Sequence, residues 1–320
     1  MLYYKIYLFR LIELFKKMMK KIILIAGPTA SGKSSLANIL AKKINGEIVN
    51  ADSVQIYKDL KILTARPDIQ KNDPLHHLYG FAKGNELWSV GRWIKKAKKV
   101  TDNILTKNSI PILVGGTGLY FKAVTEGLSP IPEIDETVRE ELNEDLKEKG
   151  LSYLYNELKS QDIKAYELID KNDQQRILRA LEVYRGSGKK ISTYWGMERS
   201  KVFNNNFIKI KLNADREYLY NKCDDRCEDM FQSGVIEEVK KLMEMKYEDN
   251  APIFNAIGVK EINKYLQKEI DKDEAKDLIK FRTHQYAKRQ ITWLKHQMIS
   301  WKSLYTQESD KIIDYFIKKL

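Results

Sequence analysis

Apolar residues in this chain fall in short unbroken runs separated by glycine turns and by longer segments of helical periodicity. The run KIILIA, Lys21 to Ala26, reads as a buried strand; a glycine turn follows, and helical periodicity then extends from Lys33 to Ile44. A second run, GEIVNADS, predicts a strand ending on Asp52, and a third, IPILVGGTGLY, leads from Ile110 into a glycine pair and a helix. Short buried strands alternating with helices predict an α/β fold, a parallel sheet with helices on both faces and ligands gathered at the carboxyl ends of the strands. Gly27, Asp52 and Gly115 are therefore expected along one cleft. Over residues 137–200 the pattern changes to charged amphipathic helices without a strand signal, broken by the turn at 186–190. A strand returns at 207–212, and the remainder reads as helical and basic, with Lys276, Lys280, Arg282, Lys288, Arg289 and Lys295 in one stretch. The expected division is an N-terminal extension (1–18), the first part of a core (19–130), an all-helical insertion (131–200) and the second part of the core (201–320).

Composition narrows the function classes. The chain has 320 residues, a formal charge of +12 and a pI near 9.3, which points to a polyanionic partner, nucleic acid first. No apolar run approaches the ~18 residues of a membrane span, and two cysteines provide neither a disulfide framework nor a paired zinc motif, so a reducing, cytoplasmic setting is expected. The opening stretch MLYYKIYLFRLIELFKKMMKK lacks the cleavage site and the arginine and serine richness of a targeting segment. It is either an amphipathic extension or a dispensable leader upstream of a start at Met18 or Met19.

The most specific motif is GPTASGKS, residues Gly27, Pro28, Thr29, Ala30, Ser31, Gly32, Lys33 and Ser34. Glycines let the backbone curl so that N–H groups point inward, a helix N-terminus adds partial positive charge, Lys33 reaches terminal phosphates and Ser34 can ligate Mg²⁺. A motor or switch ATPase would carry a magnesium-binding aspartate at a strand end, and the IPILV strand ends in Gly115 and Gly116 instead, which counts against ATP hydrolysis. Asp52, in NADSVQIY, has the chemistry of a general base, a magnesium ligand or a turn cap. Thr117 in GGTGLY suits a helix cap, and the glycine pair before it allows close backbone approach. Arg176 and Arg179 share one helical face, for which solvation is the ordinary explanation. His76 and His77 lack companion ligands and read as structural; Cys223 and Cys227 read as small buried side chains.

Taken in order, GPTASGKS, NADSVQIY, LTARP, HHL, GGTGLYFKAV, QQRILRALEVY, AIGVKEI and AKRQITWLK resemble the tRNA dimethylallyltransferase family, from Lys21 to Lys295. The resemblance implies a P-loop core of the nucleotide-kinase type with a helical insertion and a channel through the core. The implied reaction moves a dimethylallyl group from dimethylallyl diphosphate to N6 of the adenosine just 3′ of the anticodon, position 37, in tRNAs reading codons that begin with U, with Mg²⁺ at the diphosphate. Carried over residue by residue, Asp52 matches the base, Thr29 a residue at the reacting centre, and Lys33 with the loop amides and Ser34 the leaving-group site. Arg226, in K-C-x-x-R-x-x-x-M, lies near the diphosphate. The tRNA-contacting positions matched are Asp52, Ser53, Val54, Gln55, Thr117, Arg139, Gln175, Arg176, Ile177, Leu178, Arg179, Asn255, Ala256, Ile257, Gly258, Val259 and Lys260. The expected partners are tRNA and dimethylallyl diphosphate, with no membrane, and the expected state is a monomer.

The chain departs from the family pattern at Leu63 and Arg66, where glycine and lysine are common, at Val259, where tyrosine is, and at VGRW after Ser89, where an acidic or alanine-containing run is. Leu63 is expected to alter the local turn, because it does not adopt positive φ cheaply. Two rival functions use the same features: a small-molecule or nucleoside kinase, distinguished by an ATP-dependent product, and a basic RNA-binding module without turnover.

Overall fold

A computed structural model of the chain describes residues 21–306 and residue 315. The expected extension at 1–18 lies outside the described residues. The chain divides into two compact units, Glu126–Lys201 and the segments on either side of it.

The larger unit opens with β1 (Lys21–Ala26), α1 (Lys33–Ile44), β2 (Gly46–Asn50), β3 (His76–His77), α2 (Val90–Thr106), β4 (Ile110–Gly115) and α3 (Gly118–Glu126). Along the strands, residues alternate between the two faces of the sheet. Ile23, Ile25, Ile48, Ile112 and Val114 form one core with Leu36, Ala37, Leu40 and Ala41 of α1. Ile22, Leu24, Val49 and Leu113 point the other way, towards the side on which α2 turns Trp93, Ile94, Ala97, Thr101 and Ile104 inward. Each Val, Leu or Ile among these, fully buried, contributes about 1.5–3 kcal/mol. The helix α1 stops at Asn45, whose left-handed backbone (φ 52°) returns its N–H to the Ala41 carbonyl, with Lys42 and Lys43 in the last turn facing the negative end of the dipole.

The second unit is helical: α4 (Glu136–Lys149), α5 (Leu151–Gln161), α6 (Ile163–Leu168), α7 (Gln174–Ser187) and α8 (Ile191–Trp195). It has its own core of Leu142, Leu154, Leu158, Ile177 and Leu181. Its two ends are joined where Leu128 and Ser200 exchange backbone hydrogen bonds of 3.1 and 2.8 Å. Arg185, on α7, reaches Asp145 of α4 and Glu157 of α5, each at 2.7 Å, so one guanidinium ties three helices together.

The chain then returns to the larger unit with β5 (Asn206–Asn213), α9 (Arg216–Gln232), α10 (Val235–Glu244), a 3₁₀ turn at Pro252–Asn255, α11 (Val259–Leu266), α12 (Lys272–Gln297) and β6 (Lys302–Tyr305). All six strands run parallel in the order β3-β2-β4-β1-β5-β6. Two sequence expectations need correcting. The second strand ends at Asn50 rather than Asp52, because the Asn50 side chain bonds the N–H and the carbonyl of Asp52 (2.9 and 3.0 Å) and bends the chain out of the ladder. The segment after β5 is not wholly helical, since β6 closes the sheet beside β5. The two histidines form a short edge strand, with His77 Nε2 2.7 Å from Glu47 Oε2 and His76 Nδ1 2.7 Å from the Pro74 carbonyl.

Candidate active site

The parallel order places the carboxyl ends of β2, β4 and β1 side by side, and the groups expected to act together follow those three ends. After β1 the backbone turns through residues 27–34. Gly27 N–H donates to the Gly115 carbonyl (3.3 Å), and Ala30 adopts a left-handed φ of 59°, an arrangement that costs about 1–3 kcal/mol outside glycine and gathers at ligand-binding loops. The Lys33 ammonium folds back onto the Pro28 carbonyl at 3.1 Å. Ser34 stands half-buried in the first turn of α1.

Thr29 is held from two later helices. Its hydroxyl accepts from Arg226 Nη1 of α9 at 2.8 Å, and its N–H donates to Gln290 Oε1 of α12 at 2.8 Å. Gln290 is buried and donates through Nε2 to the Gly116 carbonyl at 3.0 Å, so one carboxamide joins the loop to the end of β4. Sequence reasoning missed Gln290. Its signal was a neutral polar residue on the inward face of a basic helix, in AKRQITWLK. Two buried groups of this cradle have no hydrogen-bond partner among the described residues: Ser31 Oγ and Arg226 Nε. A buried donor left unpaired costs about 1–3 kcal/mol, so this pair suits an anionic oxygen ligand.

Asp52 follows the end of β2. Its Oδ1 accepts from Val54 N–H at 3.0 Å, the turn-capping geometry anticipated for it, and more weakly from Gln55 N–H at 3.5 Å. The neighbouring Ser53 N–H donates to Thr117 Oγ1 (2.9 Å), and Thr117 in turn donates to Ser53 Oγ (3.2 Å), tying this turn to the β4 end. Burial, and after it the negative charge of Asp52, raises the phenols of Tyr79, Tyr120 and Tyr286 above their ordinary range. Tyr120 stacks on Trp93 (3.9 Å between ring centroids), and Trp93 Nε1 donates to the Asn50 carbonyl at 3.2 Å. All three phenols therefore stay neutral in the field of Asp52.

Burial pulls the Lys33 amine down to about 8, against the opposing attraction of Asp52 and with help from Arg226. The ammonium is therefore present below pH 8 and lost above it. Folding stability has the opposite sense: the unfolded lysine titrates near 10.4, so the folded state gains relative stability as pH rises from about 8 towards that value. Donor binding moves the other way. The KM for a diphosphate substrate is expected to rise as pH passes 8, and Lys33→Met should remove that limb of the profile. A parent KM flat from pH 7 to 9.5 would show that Lys33 carries no phosphate.

The segment LTARP is organised by Glu238 of α10, which accepts from three successive backbone N–H groups, Lys61, Ile62 and Leu63, at 2.6–2.8 Å. The expected disturbance at Leu63 is corrected by the backbone: the positive φ falls on Ala65 (49°), whose carbonyl, with that of Thr64, is held by Gln55 Nε2, while Leu63 is buried. Its side chain occupies the space a Cβ on Gly258 would need (2.5 Å), and Gly258, at φ 105°, starts α11. Arg66 spans the carbonyls of Tyr57 and Lys58 at 3.3 Å.

The remaining expected tRNA-contacting residues divide by exposure. Asn255 and Lys260 are exposed and Ile257 is half-buried, while the side chains of Ala256 and Val259 are buried and pack inward. In the helical unit Gln175 and Arg176 are exposed, and Leu178, Arg179 and Arg139 are half-buried. The Ile177 side chain lies fully inside the core of that unit. Arg139 and Arg179 converge on the buried carboxylate of Glu182 at 2.8 and 3.0 Å. Cys223 and Cys227 are buried in α9 with their thiols raised by desolvation. No group of three or more metal-ligating side chains occurs among the described residues, and no helix there is long and apolar enough to cross a membrane.

A strand-to-helix phosphate loop on a parallel sheet, with a carboxylate at the neighbouring strand end and no ATPase-type aspartate closing β4, defines a P-loop group-transfer fold. Sequence comparison makes this particular. The IPP transferase family model matches residues 55–297 and the isopentenyl transferase model residues 20–81. The chain is 44% identical to the tRNA dimethylallyltransferase of Pelagibacter ubique over 94% of its own length and 95% of that protein, and 42% identical to that of Rhizobium etli over 88% and 96%. It also resembles the solved tRNA isopentenylpyrophosphate transferase of Bacillus halodurans (TM-score 0.67, 31% identity, 94% and 96% covered). A eukaryotic dimethylallyltransferase captured acting on tRNA superposes with TM-score 0.75 at 30% identity, covering 90% of this chain and 74% of that one. The chain belongs to the IPP transferase family of tRNA dimethylallyltransferases. These matches support prenyl transfer and not the kinase alternative.

Proposed function

We propose that the protein transfers the dimethylallyl group of dimethylallyl diphosphate to N6 of adenosine 37 in tRNAs reading codons that begin with U, with Asp52 as general base. The observation that carries this reading is the position of the Asp52 carboxylate, at the strand end beside the phosphate loop and within the field of Lys33. The exocyclic amine of adenine is a weak nucleophile because its lone pair is delocalised into the ring. A carboxylate that takes its proton as the C–N bond forms lowers the barrier. Oδ1 is committed to the turn, which leaves Oδ2 for the proton.

On the donor side, the loop amides, Lys33, the Thr29 hydroxyl and Arg226 are fixed donors for the growing charge of the leaving diphosphate. Ser31 Oγ and Arg226 Nε, buried and unpartnered, fit that anion. Ser34 would hold Mg²⁺ together with diphosphate oxygens, the usual one-or-two-ligand mode of this ion, and the ion supplies charge neutralisation there. The target base has to leave its stack to reach Asp52. Since the loop, Asp52, Arg226 and Gln290 come from one chain, we assign the active unit to a monomer. The two free thiols accord with a cytoplasmic setting.

The test is direct: purified protein with unmodified tRNA, Mg²⁺ and dimethylallyl diphosphate should yield prenylated adenosine by mass spectrometry, unaffected by ATP. A phosphorylated, ATP-dependent product without prenylation would sink the assignment. In the helical unit, Arg176→Ala with Arg179→Ala is expected to weaken tRNA binding and flatten its salt dependence by about 0.7–0.9 per lost phosphate contact. Arg139 still neutralises Glu182 in that variant. An unchanged slope would leave the two arginines as a solvated face.

A further inference from the structure

The helix α2 carries a cationic face that the prenyl-transfer site does not use. Its inward side chains, Trp93, Ile94, Ala97, Thr101 and Ile104, are buried, which fixes the opposite side outward. There Arg92, Lys95, Lys96 and Lys99 stand at i, i+3, i+4 and i+7, all exposed. The one acid of the helix, Asp102, is bonded to Lys98 at 2.6 Å, and none of the four outward cations forms an ion pair with a carboxylate among the described residues. Like charges three and four residues apart weaken a helix, so this row opposes its own folding. At its first turn the row lies on aromatic faces. The Arg92 guanidinium is 4.5 Å from the Trp88 ring, and Lys96 Nζ is 4.8 Å from Phe81 and 5.7 Å from Trp88. The same helix is anchored beside Asp52 through Trp93 Nε1 and the Asn50 carbonyl, so the row begins at the strand ends that carry the site and runs back along the sheet.

We propose that this face of α2 is a docking surface for the sugar-phosphate backbone of the RNA substrate, outside the segment whose base reacts. The proposal rests on the reading of the protein as a tRNA-modifying enzyme. Arg92 to Lys99 spans about 10 Å at 1.5 Å per residue. A nucleic-acid duplex presents roughly one phosphate per 1.7 Å of axis, so several phosphates fall within reach. Unpaired ammonium groups on a rigid helix match that ligand, and they carry no sequence preference.

The test replaces Lys95, Lys96 and Lys99 together by Gln and measures tRNA affinity against salt. A control variant removes the same charge elsewhere on the larger unit, Lys240→Gln, Lys241→Gln and Lys246→Gln, all exposed. The α2 variant should bind tRNA roughly ten-fold or more weakly near 0.1 M salt, with the log–log slope reduced by about two, from three contacts at 0.7–0.9 each. Its turnover at saturating tRNA should equal that of the parent. An unchanged affinity and slope, or an equal loss in the control, would overturn the proposal, the second result assigning the effect to net charge alone. Retained tRNA binding with preferential loss of binding to anionic vesicles would also overturn it, in favour of a membrane surface. Prenyl transfer by the parent reports separately on the enzymatic reading, so failure of one is distinguishable from failure of the other.

Discussion

Replacing Asp52 by Asn is expected to slow prenyl transfer in a single turnover by about 10²- to 10⁴-fold, or roughly 3–5 kcal/mol of barrier, in a protein that remains folded and still binds both substrates. The substitution is chosen because of what the carboxylate does in the resting structure. Asp52 Oδ1 accepts from Val54 N–H, and an Asn carbonyl oxygen can do the same, so the turn at the strand end survives. The amide keeps the size of the side chain and its hydrogen bonding to the adenine amine, but it is too weak a base to accept the proton. Asp52→Ala would confuse the two roles by removing the turn acceptor as well. A single-turnover rate within a few-fold of the parent, at saturating tRNA and donor, would reduce Asp52 to a cap and leave catalysis to positioning and diphosphate stabilisation.

The second large effect is expected at Gly115, the last residue of β4. A methyl group there would meet the backbone of Ala51, 2.0 Å from its carbonyl oxygen, 2.2 Å from its carbonyl carbon and 2.8 Å from its Cα. Main chain cannot swing aside as a side-chain tip can. Ala51 is fixed as well, since its N–H donates to the Val114 carbonyl at 2.8 Å and its own carbonyl accepts from Thr117 N–H at 3.3 Å. Gly115→Ala must therefore spread β2 from β4 immediately before Asp52. Overpacking of this kind costs about 1–3 kcal/mol where side chains can adjust, and rigid backbone puts this site at or above the upper end. The melting temperature should fall by roughly 5–10 °C. Displacing a catalytic group by about 1 Å can remove 10²-fold in rate, so activity should drop further than stability. A variant that melts within a degree of the parent and turns over at the parent rate would show that the β2–β4 junction is not rigid.

The parts of the fold legible in the sequence were those whose signal is local. β1 and β4 are apolar runs, β5 alternates apolar and polar residues, α1 follows a glycine loop at once, and residues 137–200 have helical periodicity broken only at the turn 186–190. The parts that escaped were set at a distance. β3 is two histidines, too short for any period, and is a strand only because Ile48 and Val49 lie beside it. β6 is a mostly exposed KSLY that becomes a strand by pairing with β5. At the site, the loop, Asp52 and Thr117 were visible as motifs because their chemistry lies in their own sequence. Gln290 was not, because its partner Thr29 lies 261 residues away and one neutral residue on a basic helix is a weak local signal. Ile177 and Val259 fall within segments expected to meet tRNA, and their positions on their helices turn their side chains into the core.

The strand order also dictates when the protein can become itself during synthesis. β1 is the central donor strand, and its β4 side can be paired once residues 110–115 have emerged from the ribosome. Its other side waits for β5, and the helical unit is encoded between the two. At elongation speeds of about 5–20 residues per second, the roughly 180 residues between β1 and β5 leave a strand edge open for about 10–40 s. The loop cradle matures later still, since Gln290 is encoded close to the end of the described chain. A nascent chain therefore carries an unpaired strand edge early and gains its phosphate clamp last, an interval in which the sheet cannot yet close.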